Sequence, residues 1–103
     1  MKIPDSIRIG GVEYAVQHVD NLRDGTVLEY GHIDYDNSVI ALSSTDGAEC
    51  QRKCITLLHE ILHGVINHMG MEVENEEEVV TTLAKGLYQV LQDNSERLFG
   101  AVE

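Results

Sequence analysis

The chain has 103 residues, 43% of them hydrophobic, and carries 18 acidic against 7 basic side chains, a net charge of −11. That length holds one domain with a single core and excludes a two-lobed enzyme, while the hydrophobic content argues against wholesale disorder. The charge speaks against a nucleic-acid partner, because the few basic residues form no stripe; it serves solubility, and would also favour cationic peptide substrates.

No apolar run of signal-peptide length opens the chain, and no segment nears the roughly 18 apolar residues of a membrane span. A soluble, cytoplasmic protein with no membrane partner is the expectation. Cys50 and Cys54 stand four apart in a predicted helix, where a disulfide would strain the backbone and a metal knuckle would want a shorter spacing. We expect reduced thiols, with Cys54 in the core and Cys50 nearer the surface.

The first half alternates as strands do. Ile7 and Ile9, a Gly10-Gly11 turn, then Val12, Tyr14 and Val16 predict a half-buried hairpin. Residues 19–25 look like a loop. The pattern resumes over 27–35, with Gly31 marking a break or bulge. Asp36-Asn37 offers a turn, and 38–44 the return strand. This predicts an antiparallel sheet of three to four strands.

Two helices follow. Asp46 and Glu49 have the form of a capping box, opening a helix that runs to about His68 and stops at Gly70. Asn75 followed by Glu76, Glu77 and Glu78 opens a second in the same way, ending near Asp93-Asn94. Strands followed by helices without alternation indicate a single α+β domain over residues 1–103.

The first helix contains His59-Glu60-Ile61-Leu62-His63, an HExxH pattern. On a helical wheel an apolar stripe runs from Cys54 through Met69, with His59 and His63 together just beyond one edge. Glu60 falls farther round, towards the open side. Imidazoles four residues apart project from one face and can share one ion. Zinc suits nitrogen and oxygen donors, lowers the pKa of a bound water towards about 7, and Glu60 can take that water's proton and pass it to a leaving amine. With five histidines and eleven glutamates in the chain, random order yields the pattern in roughly 2–3% of such sequences. The competing reading is an amphipathic helix with two histidines at the rim of the core.

A third ligand must come from elsewhere. His68 points about 180° from His59 on the wheel and is read as a helix-terminal charge or surface residue. In the second helix Glu76 lies within the apolar face, Glu77 near its edge, and Glu78 points away. Acids at a helix start are also favoured by the helix dipole alone.

HExxH followed by a helix with acids at its start resembles the gluzincin metallopeptidases, and within them the small ImmA/IrrE-like proteins of phages and mobile elements. Glu77, Val80-Thr81, Leu83-Ala84 and Leu87 follow that family's second-helix frame, with Val80-Thr81 standing where the family has Ala-Asn. The match covers about residues 50–92, and the frame selects Glu77 over Glu76. It implies a minimal zincin-like domain binding Zn²⁺ through His59, His63 and Glu77, with Glu60 as the catalytic base and a peptide or protein substrate, a regulatory protein being one candidate. It also implies an edge strand above the metal that receives an extended peptide, for which the 31–43 hairpin is the candidate. His32, Tyr35 and Tyr88 are conceivable oxyanion donors, though each has a simpler structural role. The alternative is a non-enzymatic phage-type protein that keeps the zinc site as a structural staple or partner surface. An acidic interaction module without metal is least favoured.

Overall fold

A computed structural model describes residues 2–44 and 50–100. The chain is α+β: β1 (Ser6–Ile9), β2 (Val12–Val19), β3 (Arg23–Asp24), β4 (Val27–Leu28), β5 (Gly31–Asp34) and β6 (Val39–Ser43) precede α1 (Cys50–Met69), α2 (Glu76–Asp93) and a short α3 (Ser95–Phe99). The helix start placed at Asp46–Glu49 lies outside the described residues, as does the Cys50 side chain. Cys54 is a free thiol and fully buried.

Four strands form one sheet in the order β1-β2-β6-β5. The first hairpin forms as its alternation predicts, with Ile7 opposite Tyr14 and Ile9 opposite Val12. β5 and β6 make a second hairpin. Asp34 caps its turn, accepting hydrogen bonds from the Asp36 and Asn37 amides, as aspartate does in tight turns. The expectation of a wholly antiparallel sheet does not hold. β2 and β6 run parallel, Val16 opposite Ile40, because the chain passes from β2 to the far edge, builds β5, and turns back to fill the gap. The predicted strand over 27–35 is broken into β4 and β5. Part of the expected loop pairs instead, Arg23 with Leu28, in a two-stranded ribbon apart from the main sheet.

The sheet buries one face against α1. Ile9, Tyr14, Val16, Ile33, Ile40, Leu42 and Leu57 form the core, with Ile40 and Leu42 wholly inaccessible. Gly64 allows this close approach: a methyl group there would lie 2.9 Å from Ile9 Cδ1 and 3.2 Å from Ile33 Cδ1. Past Gly64 the sheet no longer covers the helix, so Val65 and Met69 are exposed although they belong to the apolar stripe. The His68 ring lies beside the Gly10 turn and is exposed, the surface position expected of it.

α1 ends at Met69 and Gly70 follows with φ of 67°, the left-handed conformation that stops a helix. α2 then packs back on α1, burying Val80 and Ala84 completely. Asn75 does not act as the expected side-chain cap. It sits at φ 56°, ψ 46° with no capping hydrogen bond from its side chain, and only its carbonyl accepts, from the Val79 amide. No helix among the described residues is long and apolar enough to cross a membrane.

Candidate metal centre

The packing of α2 on α1 brings the first turn of one helix beside the middle of the other. His59 and His63, one turn apart, place their Nε2 atoms 3.2 Å from each other. Glu77 spans both: Oε1 lies 2.9 Å from His63 Nε2 and Oε2 lies 3.1 Å from His59 Nε2. Both imidazoles are mostly buried, at 17% and 16% side-chain exposure, while Glu77 closes the cluster from the solvent side at 73%.

Two nitrogen donors on a tetrahedral zinc, with bonds of about 2.0–2.1 Å, sit ~3.3–3.4 Å apart. The observed separation matches that edge. Two imidazole nitrogens this close with a carboxylate across them need positive charge between them, either protons or a cation. One donor atom each from His59, His63 and Glu77 falls within 4.8 Å of the others, so this chain's donor set fits a zinc ion. Among the alternatives weighed from the sequence, Glu77 is the acid that faces both Nε2 atoms.

Glu76 occupies a different position. Its Oε2 lies 2.6 Å from His63 Nδ1, the nitrogen turned away from the cluster. A carboxylate there holds the proton on Nδ1 and leaves the Nε2 lone pair free for a metal. Both acids are thus engaged, one across the donor nitrogens and the other behind them. Glu78 faces elsewhere and is exposed; its carbonyl accepts from Thr82.

The electrostatics follow from this geometry. Burial lowers the His59 pKa against the pull of Glu77. Burial also disfavours charge on His63, but the hydrogen bonds its ring donates to the Glu76 and Glu77 carboxylates outweigh it and the net shift is upward.

Glu60 departs from expectation. It is not open to solvent but buried, at 6% exposure, although it still lines the pocket between α1 and β5. The approach to β5 lies over that flank of α1, so the helix is covered across a wider arc than its apolar stripe. Gly31 makes room for it: a methyl group there would lie 2.5 Å from Thr56 Cγ2 and 3.2 Å from Glu60 Oε2. Burial pushes the Glu60 carboxyl up to about 7, against the attraction of His63.

A pocket of about 700 Å³ opens over these groups, lined on one side by residues of β4, β5 and their junction and on the other by Thr81 and Lys85 of α2. His59, Glu60, His63 and Glu77 all contribute to its wall. β5 is one of the two outer strands of the sheet. Of the three conceivable oxyanion donors, His32 and Tyr35 line this pocket and Tyr88 does not. The Tyr35 hydroxyl donates to the His63 carbonyl at 3.2 Å, tying the strand turn to α1. Lining residue Glu29 carried no sequence signal beyond its place within the strand predicted over 27–35.

No family model matches the chain, and neither the curated proteins nor the solved structures give a significant match to it.

Proposed function

We propose that this protein is a minimal zincin-like peptidase, binding zinc through His59, His63 and Glu77 and hydrolysing peptide bonds with Glu60 as the proton carrier. The observation that carries the reading is the pairing of two groups in one pocket. A three-donor cluster of zinc-like spacing shares its wall with a carboxyl poised at about 7.

When bound, zinc would supply a Lewis acid and acidify a water molecule. The chain's own groups do the rest. Glu60, whose carboxyl burial favours in its protonated form, suits both halves of a proton relay: it would accept a proton from the attacking water and return it to the leaving nitrogen. Glu76 holds the His63 ring in orientation. The unpaired outer edge of β5 offers main-chain donors and acceptors to an extended peptide laid along the pocket. The gluzincin resemblance of His59-Glu60-Ile61-Leu62-His63 and Glu77 points the same way, and a regulatory protein is a candidate substrate.

The test is cleavage of a peptide library by zinc-loaded protein, read by mass spectrometry, against Glu60→Gln. Turnover by the parent and none by the variant, with zinc retained in both, supports the reading; equal turnover by the two rejects Glu60. A second reading, a structural zinc staple, is favoured by one observation. His59 and His63 of α1 meet Glu77 of α2, so a metal there would clamp the two helices of a small core together. Zinc binding and zinc-dependent stability without turnover of any peptide decides for the staple.

A further inference from the structure

The pocket extends past the metal cluster. Along α1 it is lined by His63, His59 and Ile55, and along α2 by Glu77, Thr81 and Lys85. Because α2 packs back on α1 with Glu76 and Glu77 beside His63, the groove runs from the cluster at one end to Ile55 and Lys85 at the other. Glu77, Thr81 and Lys85 follow one another at four-residue intervals, so they share one flank of α2. At 1.5 Å per residue, Lys85 stands about 12 Å along the helix from Glu77. Thr81 is half-buried and Lys85 exposed. Lys85 is the only lysine or arginine among the described residues of the lining. Among the described residues it forms no ion pair, and the Thr81 hydroxyl makes no hydrogen bond, unlike that of Thr82, which donates to the Glu78 carbonyl.

An ammonium open to solvent and a hydroxyl free to donate, one helical turn apart in the same wall, offer two donors to an anion. We infer that a peptide lying in the pocket sets a carboxylate against Lys85 and Thr81, about three to four residues from the group that meets the metal. The spacing follows from chain geometry: an extended peptide advances about 3.3 Å per residue, so roughly three to four residues cover the distance between Glu77 and Lys85. The carboxylate belongs to an aspartate or glutamate side chain or to the peptide's own C-terminus, which present the same group. Glu29, Glu60 and Glu77 share the lining and the chain carries a net charge of −11, so no long-range field draws acid towards the pocket. What the pocket selects is the position of the acid, through a short contact, and not its presence. The inference rests on the metal-binding and peptide-binding parts of the proposed function and is independent of hydrolysis.

The experiment uses zinc-loaded full-length protein and short peptides of Gly, Ser and Leu that carry one Glu and a hydroxamate, a chelating group that fixes one end of the peptide at the metal. The hydroxamate stands at the N-terminus in one series and at the C-terminus in the other, the opposite end being capped. Within each series the Glu moves stepwise away from the hydroxamate, so all members share one composition and one charge, and differences report local contacts. A member of the first series without Glu is compared as its free C-terminal carboxylate and as its amide. Affinity is read from displacement of a fluorescein-labelled hydroxamate, followed by anisotropy. In one series, Glu at the third or fourth residue is expected to bind about twofold to fivefold tighter than Glu at the first, an advantage that shrinks at high salt. Lys85→Met should remove it, Lys85→Glu should reverse it, and Thr81→Val should reduce it, with the zinc content of each variant measured alongside. A gain for the free C-terminus over its amide upholds the inference for chain ends as well as side chains. Equal affinity of all isomers in both series with no gain from the free C-terminus, or an advantage that survives Lys85→Met, overturns it and leaves the peptide-binding reading standing. Failure of every hydroxamate to bind overturns that reading and the inference together.

Discussion

His63 Nδ1 lies 2.6 Å from Glu76 Oε2, while the other nitrogen of the same ring faces Glu77 at 2.9 Å. Two consecutive glutamates therefore grip opposite sides of one imidazole. They do so because the first turn of α2 meets α1 at the level of His63, where residues about 100° apart on a helix can straddle a ring. The two acids should differ in kind. Glu76→Gln is expected to weaken zinc binding about 10–100-fold while keeping one ion per chain. Glu77→Gln should remove stoichiometric binding. Competition against a chromophoric chelator measures both, and the reverse ranking would make Glu76 the ligand.

Zinc should also stabilise the fold. A ligand that binds only the native state adds about 2.7 kcal/mol at a hundredfold excess over its dissociation constant. Thermal unfolding with zinc and with a chelator should differ accordingly. The difference should vanish in His59→Ala, whose removed imidazole supplies one of the three donors.

Glu60 gives the zinc-free protein a characteristic pH dependence. Its carboxyl titrates at about 7 when folded against 4.5 when free. Below the lower value the proton is held in both states and nothing changes. Between the two, the unfolded chain releases the proton while the folded chain keeps it, so stability falls as pH rises, and above about 7 the loss is complete. Glu60→Gln removes this effect. Denaturant titrations of zinc-free protein should show the variant gaining roughly 1–3 kcal/mol over the parent between about pH 5 and pH 8. A constant difference across that range would mean the carboxyl is not desolvated.

Gly31 is required by space. Alanine there would press a methyl group against Thr56 Cγ2 at 2.5 Å, and overpacking of this order costs about 1–3 kcal/mol. Thr56→Ser deletes the opposing methyl, so the double variant should recover part of the loss. A double-mutant cycle by urea unfolding reads the coupling directly. Strict additivity would show that the two positions do not meet.

How far the sequence reaches can be seen at particular residues. The β1–β2 hairpin was legible because Ile7, Ile9, Val12, Tyr14 and Val16 alternate across a glycine turn, and α1 and α2 because their apolar residues recur at helical spacing up to Gly70 and Asp93. Those are local signals. The parallel pairing of Val16 with Ile40 joins strands far apart in the chain and leaves no local trace. For the same reason Glu60 looked exposed on a wheel: what buries it is the approach to β5, an element the helix's own periodicity does not contain. The wheel ranked Glu76 inside the α2 face and Glu77 at its edge. Both positions are as ranked, with Glu76 half-buried and Glu77 exposed, but a wheel cannot say which acid meets Nε2 and which meets Nδ1.

The excursion between β2 and β6 carries a consequence of its own. It contains the β3–β4 ribbon, Glu29 and β5, the whole strand-side wall of the pocket, whereas every donor of the metal cluster comes from α1 and α2. The ribbon's tip at Gly25-Thr26 is exposed and the ribbon lies outside the main sheet, so residues can be added or exchanged there without breaking a core strand. The strand-side wall of the pocket and the His59-His63-Glu77 cluster are thereby encoded in separate stretches of chain, so the sequence of one can change while the other is kept.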